Sequence, residues 1–291
     1  MITDQNPKVF PHEPRATSNE LPYQPYHTRA KRVVPATSHQ LLWTSGWDST
    51  FRLLQLVLEQ RVPVQPIYLI DPDRRSMPIE IRSMRAIKQA LTQIHPHTAD
   101  LIFPTFYYSI ADLDPDPEID AAAARLREKR KLGDQYPWFA RFIKQFNLHG
   151  IEIGIIHGDP TTSNFYLKDY FKPHSAINEL DPAFSDILEY PIFKNLSFPI
   201  IHLSKVEMME IAKQNGWFEF MELTWFCFTP LPGEKPCGQC SPCKIAKNEG
   251  MGWRLPPEPE PLPLTITPKK TMLRRIYNRF KRKFDVFTGS E

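Results

Sequence analysis

The distribution of proline sets the first limit on what this chain can fold into. Proline removes a backbone donor and breaks regular structure wherever it clusters, and 30 prolines stand against only 11 glycines. One cluster, Pro7, Pro11, Pro14, Pro22, Pro25 and Pro35, makes residues 1–37 an extended amino-terminal arm. A second, with six prolines in the thirteen residues from Pro256 to Pro268, makes 254–268 an extended linker. The folded body is therefore expected at about 38–253, where 41% hydrophobic composition across the whole chain supplies a sizeable core. At 291 residues, one main domain with appendages is expected.

Within that body, short apolar runs alternate with helical patterns. The expected class is α/β, an open and mainly parallel sheet with helices on both faces. His39 to Trp43 reads as a buried strand. A polar turn, Thr44-Ser45-Gly46-Trp47-Asp48-Ser49, follows it, and then an amphipathic helix from about Thr50 to Gln60. Val64 to Ile70 is the next strand and Pro78 to Ile94 the next helix. Asp100 to Phe106 is a third strand, Ala121 to Lys131 and Trp138 to Phe146 are helices, and Ile151 to Ile156 is a strand. Ser204, with Glu207 three residues on, has the capping-box spacing for a helix through Gln214.

Two constellations carry chemistry. A helix that begins directly after a buried strand aims unpaired amides and a positive dipole end at the sheet edge, which is where anions bind. Ser45 and Gly46 are small enough for phosphate to approach the backbone, and Thr44, Ser49 and Thr50 add hydroxyls. Asp48 would repel a phosphate unless magnesium lies between them, and helix capping by Asp48 and Ser49 is the competing reading. Trp47 either covers a base or packs on the adjacent strand. The second constellation is Cys227, Cys237, Cys240 and Cys243, every cysteine of the protein. Its spacing suits four thiolates on a structural zinc ion, with disulfides and an iron–sulfur cluster as competitors.

The two constellations in this order resemble the PP-loop ATP pyrophosphatase superfamily and, more closely, the 7-cyano-7-deazaguanine synthase family. The family's Ser-Gly-Gly-x-Asp-Ser is matched by Thr44 to Ser49. Its Thr-Trp-x-Cys and Cys-Gly-x-Cys-x-x-Cys are matched by Thr224 to Cys227 and Cys237 to Cys243, and its serine-lysine helix start by Ser204-Lys205. The chain departs from the pattern at Thr44 and Ser45 and at Ala246, where an arginine is usual. It also lacks a Pro-Gly-Arg-Asn segment, in whose place stands Gly133 to Arg141.

The resemblance implies an ATP-dependent ligase of queuosine biosynthesis that activates a carboxylate as an acyl-adenylate and releases pyrophosphate. In the family the carboxylate is that of 7-carboxy-7-deazaguanine, ammonia converts it to an amide, and a second ATP drives dehydration to the nitrile. The cofactors implied are ATP, Mg²⁺ and Zn²⁺. Thr44, Ser45, Gly46, Trp47, Asp48, Ser49 and Thr50 would bind nucleotide, Asp48 would hold magnesium, and Lys205 would neutralise the departing pyrophosphate. The domain reading is a PP-loop domain at 38–220 and a zinc-binding extension at 221–253, with a homodimer suggested by the resemblance. Alternatives are a diverged enzyme passing the activated group to a protein or another amine, and a non-catalytic nucleotide-binding module.

The remaining feature is the segment 269–291. Residues 269–283 hold eight of the 36 basic residues and no acid, leaving 28 basic against 33 acidic, a net −5, for the rest. If helical, Leu273, Ile276, Phe280, Phe284 and Phe287 share one side among these cations. That pattern suits an anionic membrane surface or an acidic partner protein, with nucleic acid less favoured and docking on the protein's own acidic domain the bland reading. No apolar run reaches the roughly 18 residues of a membrane span, and the first thirty residues do not read as a secretion signal. The expected location is cytoplasmic, with a peripheral membrane contact through the tail.

Overall fold

The computed structural model describes residues 38–129, 132–156 and 165–257. The amino-terminal arm, most of the proline-rich linker and the basic tail lie outside them. Five parallel strands form one sheet: β1 (His39–Leu42), β2 (Val64–Ile70), β3 (Phe106–Ser109), β4 (Ile151–Ile153) and β5 (Leu196–Ser197), in the order β3-β2-β1-β4-β5. The expected open parallel α/β architecture is borne out. Chain order reverses between β1 and β4, the point at which such sheets open a crevice beyond the carboxyl ends of their strands.

Alternation along the strands explains the two layers of helices, because successive side chains point to opposite faces. Leu41 and Trp43 of the β1 run, with Val64, Tyr68 and Ile70 of β2, belong to one core, while Leu42, Ile67 and Leu69 belong to the other. The first core is covered by α1 (Trp47–Leu54), α2 (Met77–Ile94), α7 (Lys205–Gln214) and α8 (Phe218–Glu222). The second is covered by α4 (Pro117–Lys129), α5 (Gln135–Gln145) and α6 (Tyr190–Phe193). Each of the buried Phe51, Phe142 and Phe220 contributes about 1.5–3 kcal/mol of apolar burial.

One strand lies elsewhere than its sequence suggests. Asp100 to Phe106 is not a strand: Thr98–Leu101 is a helical turn, α3, in which the Thr98 hydroxyl donates to the His95 carbonyl. Pro104 follows, and the strand begins only at Phe106, where alternating aromatics find partners. Phe106 and Tyr108 pack toward Phe142 and Phe146, and Tyr107 toward Tyr68 on the other face. The first helix also starts at Trp47 rather than Thr50 and continues as a wider turn over Gln55–Glu59. At α7, Ser204 and Glu207 make both hydrogen bonds of the capping box.

A buried ionic cluster ties three elements together on the α1 side of the sheet. Glu152 of β4 accepts from Arg52 of α1 at 2.7 and 3.2 Å and pairs with His39 Nδ1 of β1 at 2.6 Å. Burial alone would raise the Glu152 carboxyl. The His39 and Arg52 bonds outweigh that and hold it below the usual carboxylate range. No helix among the described residues is long and apolar enough to cross a membrane.

Candidate active site

A cavity of about 340 Å³ opens at the switch point between β1 and β4. Thr44, Gly46, Trp47, Asp48 and Ser49 line one side of it, and Gly154 with Ile153, Ile155 and Ile156 at the end of β4 lines another. The amino terminus of α1 is left without a side-chain cap, so its first amides are available to a ligand. A Cβ at Gly154 would stand 2.6 Å from the Ser49 amide nitrogen and 2.9 Å from two more backbone atoms. Only glycine lets β4 pass this close to the helix start. The signal was in the sequence, a glycine inside the apolar run IEIGII, which marks close backbone approach.

Two residues of the loop face away from the cavity. Thr50 is fully buried and its hydroxyl accepts the indole N–H of Trp43 at 3.0 Å. Ser45 is also fully buried, at φ +55°, and its hydroxyl has no partner among the described residues. The left-handed backbone explains why glycine suits this position, since any other L-residue there is strained by about 1–2 kcal/mol. The Ser45 carbonyl accepts the Trp225 amide at 2.9 Å, which joins the loop to the cysteine-bearing extension.

Asp48 and Lys205, both named from sequence, meet in the cavity: the ammonium of Lys205 lies 2.6 and 2.9 Å from the two Asp48 oxygens. Glu249, 3.4 Å from the same nitrogen, completes the cluster and was not foreseen. Burial would lower the Lys205 ammonium, but the Asp48 and Glu249 carboxylates overcome it and hold the lysine above its usual range. Asp48, assigned to magnesium by the resemblance, is here engaged through both oxygens by a lysine. The lysine offsets part of the repulsion that the two carboxylates would exert on phosphate.

The other wall carries aromatic and basic groups: Tyr136 and Phe139 from α5, and Trp225, Phe226 and Phe228 from the stretch before the cysteines. Arg74 lies over the Phe228 ring at 4.3 Å and pairs with buried Glu80 at 3.5 Å. Arg82 instead pairs with Glu234 in solvent. Arg254 was missed, because it falls just beyond the last residue assigned to the extension. It reaches the cavity from a turn, Gly252–Arg254.

The four cysteines converge. Their sulfurs all lie within 4.8 Å of one another, with Sγ···Sγ separations of 3.4, 3.8 and 3.9 Å among the closer pairs. A zinc ion about 2.3 Å from each of four tetrahedral thiolates sets their separation at about 3.8 Å. The set therefore fits one zinc ion; a four-iron cluster would hold its ligands further apart. Gly238, at φ +72°, makes the turn between the first two cysteines of the knuckle. Against the upward push of burial, the Thr229 hydroxyl and the Gln239 and Cys240 amides bring the Cys237 thiol down to about 6. Burial pushes Cys227 up to about 11 and Cys243 well above the usual thiol range. Metal binding must therefore release protons. Four protein sulfurs leave no open coordination position, so this ion would staple the extension.

Comparison with known proteins gives likenesses in both sequence and structure. The family model described as Queuosine biosynthesis protein QueC matches residues 183–251, which carry Lys205, Glu249 and all four cysteines; the loop at 44–50 lies outside the matched stretch. A 7-cyano-7-deazaguanine synthase from Erythrobacter litoralis (strain HTCC2594) is 32% identical over 54 residues, 17% of this chain and 20% of that protein. The match thus spans about a fifth of the relative's length. A solved 4-thiouridine synthetase–RNA complex with bound ATP shares 14% identity over 76% of this chain and half of that one, with a TM-score of 0.33. The resemblance read from the motifs is borne out by the first two.

Proposed function

We propose that the protein is an ATP-dependent synthase of the 7-cyano-7-deazaguanine synthase kind. The observation that carries this reading is the uncapped start of α1 opening onto a cavity that also receives the Asp48–Lys205 pair and the aromatic residues of the cysteine extension. Triphosphate would lie against the amides of α1 with the hydroxyls of Thr44 and Ser49 as further donors. A substrate carboxylate oxygen attacks the α-phosphorus, the α–β bond breaks, and pyrophosphate leaves with the electron pair. Lys205, released from Asp48 as the anions arrive, would stabilise that departing charge. A magnesium ion accompanying the nucleotide, with Asp48 as the carboxylate to hold it, would supply further neutralisation of the phosphates.

Water must be kept from the acyl-adenylate until ammonia arrives, and the residues suited to this are Trp225 and Phe226. Ammonia then displaces AMP to give the amide. The amide oxygen attacks the α-phosphorus of a second ATP, pyrophosphate leaves and one N–H proton is lost; departure of AMP with the former amide oxygen and loss of the second N–H proton then give the nitrile. The zinc ion takes no part in these steps.

The test is to incubate the zinc-loaded full chain with ATP, Mg²⁺, ammonium and 7-carboxy-7-deazaguanine, following AMP, pyrophosphate and product mass. AMP, pyrophosphate and a nitrile are expected, with Asp48→Asn lowering the rate by about 10²-fold or more. AMP with the acyl group found on a protein or other amine would move the reading to a transferase. ATP left intact with every carboxylate tried would remove the adenylating reading.

A further inference from the structure

The cavity has two charged ends of different character. At one, Lys205 is shared by two carboxylates, Asp48 and Glu249. At the other, Arg254 donates only to neutral acceptors: the Thr224 hydroxyl at 2.8 Å and the carbonyls of Thr224 and Glu222 at 2.6 and 3.3 Å. Among the described residues, no carboxylate forms an ion pair with it. Burial brings the Arg254 guanidinium down to about 10, against the opposing pull of the Glu222 carboxylate charge.

The guanidinium is also confined by aromatic rings. Its carbon lies 5.1 Å from the centroid of Phe226 and 5.3 Å from that of Trp47. Trp47 is itself 4% exposed, and its indole N–H is buried with no acceptor among the described residues. A buried donor without an acceptor costs about 1–3 kcal/mol, a cost that an acceptor supplied by a ligand would relieve. Trp47, Phe226 and Arg254 all line the same cavity.

We propose that Trp47 and Arg254 form the subsite for the carboxylate of the acceptor, a planar aromatic acid. One fixed positive charge and one neutral donor match a single carboxylate better than a triphosphate, which carries several charges and has the start of α1 to meet them. The ring of such an acid has Tyr136, Phe139, Trp225 and Phe226 to pack against. Trp47 is the first residue of α1, so a carboxylate bound there lies beside the loop proposed to take the phosphates. The assignment rests on the adenylating reading for the reaction that follows, while the binding step can be measured without nucleotide.

The experiment uses the zinc-loaded full chain labelled with ¹⁵N at tryptophan, which gives one indole N–H signal for each of the six tryptophans. Trp47→Phe identifies its own signal by loss. Indole-3-carboxylate is the probe, with indole-3-carboxamide as its neutral match and inorganic pyrophosphate as the phosphate probe. The carboxylate is expected to shift the Trp47 signal and to bind at least about tenfold more tightly than the carboxamide. Arg254→Lys, which keeps the charge but loses the planar fork, should weaken carboxylate binding about tenfold and leave pyrophosphate binding unchanged. Trp47→Phe should weaken it as well, which keeps the test open should Arg254→Lys fold poorly.

Equal binding of acid and amide would overturn the assignment, as would wild-type affinity in both variants. So would a Trp47 signal that answers to pyrophosphate and not to the acid. A protein that binds the acid in this way yet neither binds nor cleaves ATP would uphold the subsite and remove the adenylating reading alone.

Discussion

At the scale of single residues, the buried carboxylate Glu152 shows how strongly one side chain can be committed. Its partner Arg52 is almost as buried, with side-chain exposures of 6% for the arginine and 3% for the glutamate. Truncating one member of such a pair strands the other charge, at a cost of about 3–5 kcal/mol. Glu152→Gln keeps the shape and should lower unfolding free energy in urea by that amount at neutral pH. The sign of the pH dependence follows from the shift. Because the folded carboxyl is held below its ordinary value of 4.5, its contribution is complete above that value and is lost as pH falls through the folded one. The wild type should therefore lose stability steeply below about pH 4.5, and the variant should have a flatter acid limb. Parallel acid limbs would show that Glu152 is not held ionised by Arg52 and His39. Nothing local in the sequence announces this pair, since its members lie 100 residues apart and each reads alone as a charge on an amphipathic element.

At the scale of elements, legibility tracks the range over which the signal is written. The capping box of α7 and the cysteine spacing are complete within a few residues, and both were readable. The strand Val64–Ile70 was readable despite Pro66 because its apolar run is long. Leu196–Ser197 was not, because two residues carry no period. β3 was placed too early because Leu101 and Ile102 look like strand, while Pro104 and the packing of Phe106 on Phe142 decide where pairing starts. The cavity follows the same division. Its loop was readable, but Glu249 and Arg254 reach it from some two hundred residues away. Gly154 belongs between these cases, visible as a glycine in a strand but without its partner. Gly154→Ala would drive a Cβ into the backbone of Asp48 and Ser49, which cannot rotate aside. The expected cost is about 1–3 kcal/mol in urea unfolding, with a loss of ATP affinity larger than that of a surface variant of equal stability cost. Unchanged ATP affinity in a destabilised Gly154→Ala protein would mean that the start of α1 is not the phosphate site.

At the scale of the whole molecule, the question is what holds the two walls of the cavity together. Trp225 connects them directly: its amide donates to Ser45 of the loop, and its indole donates to the carbonyl of Cys227 at 2.8 Å. Beyond the cysteines, Ala246 and Met251 enter the core shared with α1, α2 and α7, so the extension and the sheet domain have apolar contents in common. A zinc ion on the four thiolates would therefore set the positions of Trp225, Phe226 and Ile245, and with them the shape of the cavity, without touching a ligand. Removing it with a chelator should lower the melting temperature by several degrees, since binding free energy at such a site is largely folding free energy. The sheet, whose strands take no part in the cysteine cluster, should keep its far-ultraviolet dichroism. Affinity for ATP and for the aromatic acid should fall together, because one side of the cavity would be lost to both, and one equivalent of zinc should restore them. If chelated protein bound both ligands as before, the cysteine extension would be an independent appendage and the aromatic wall would not need the metal to stand.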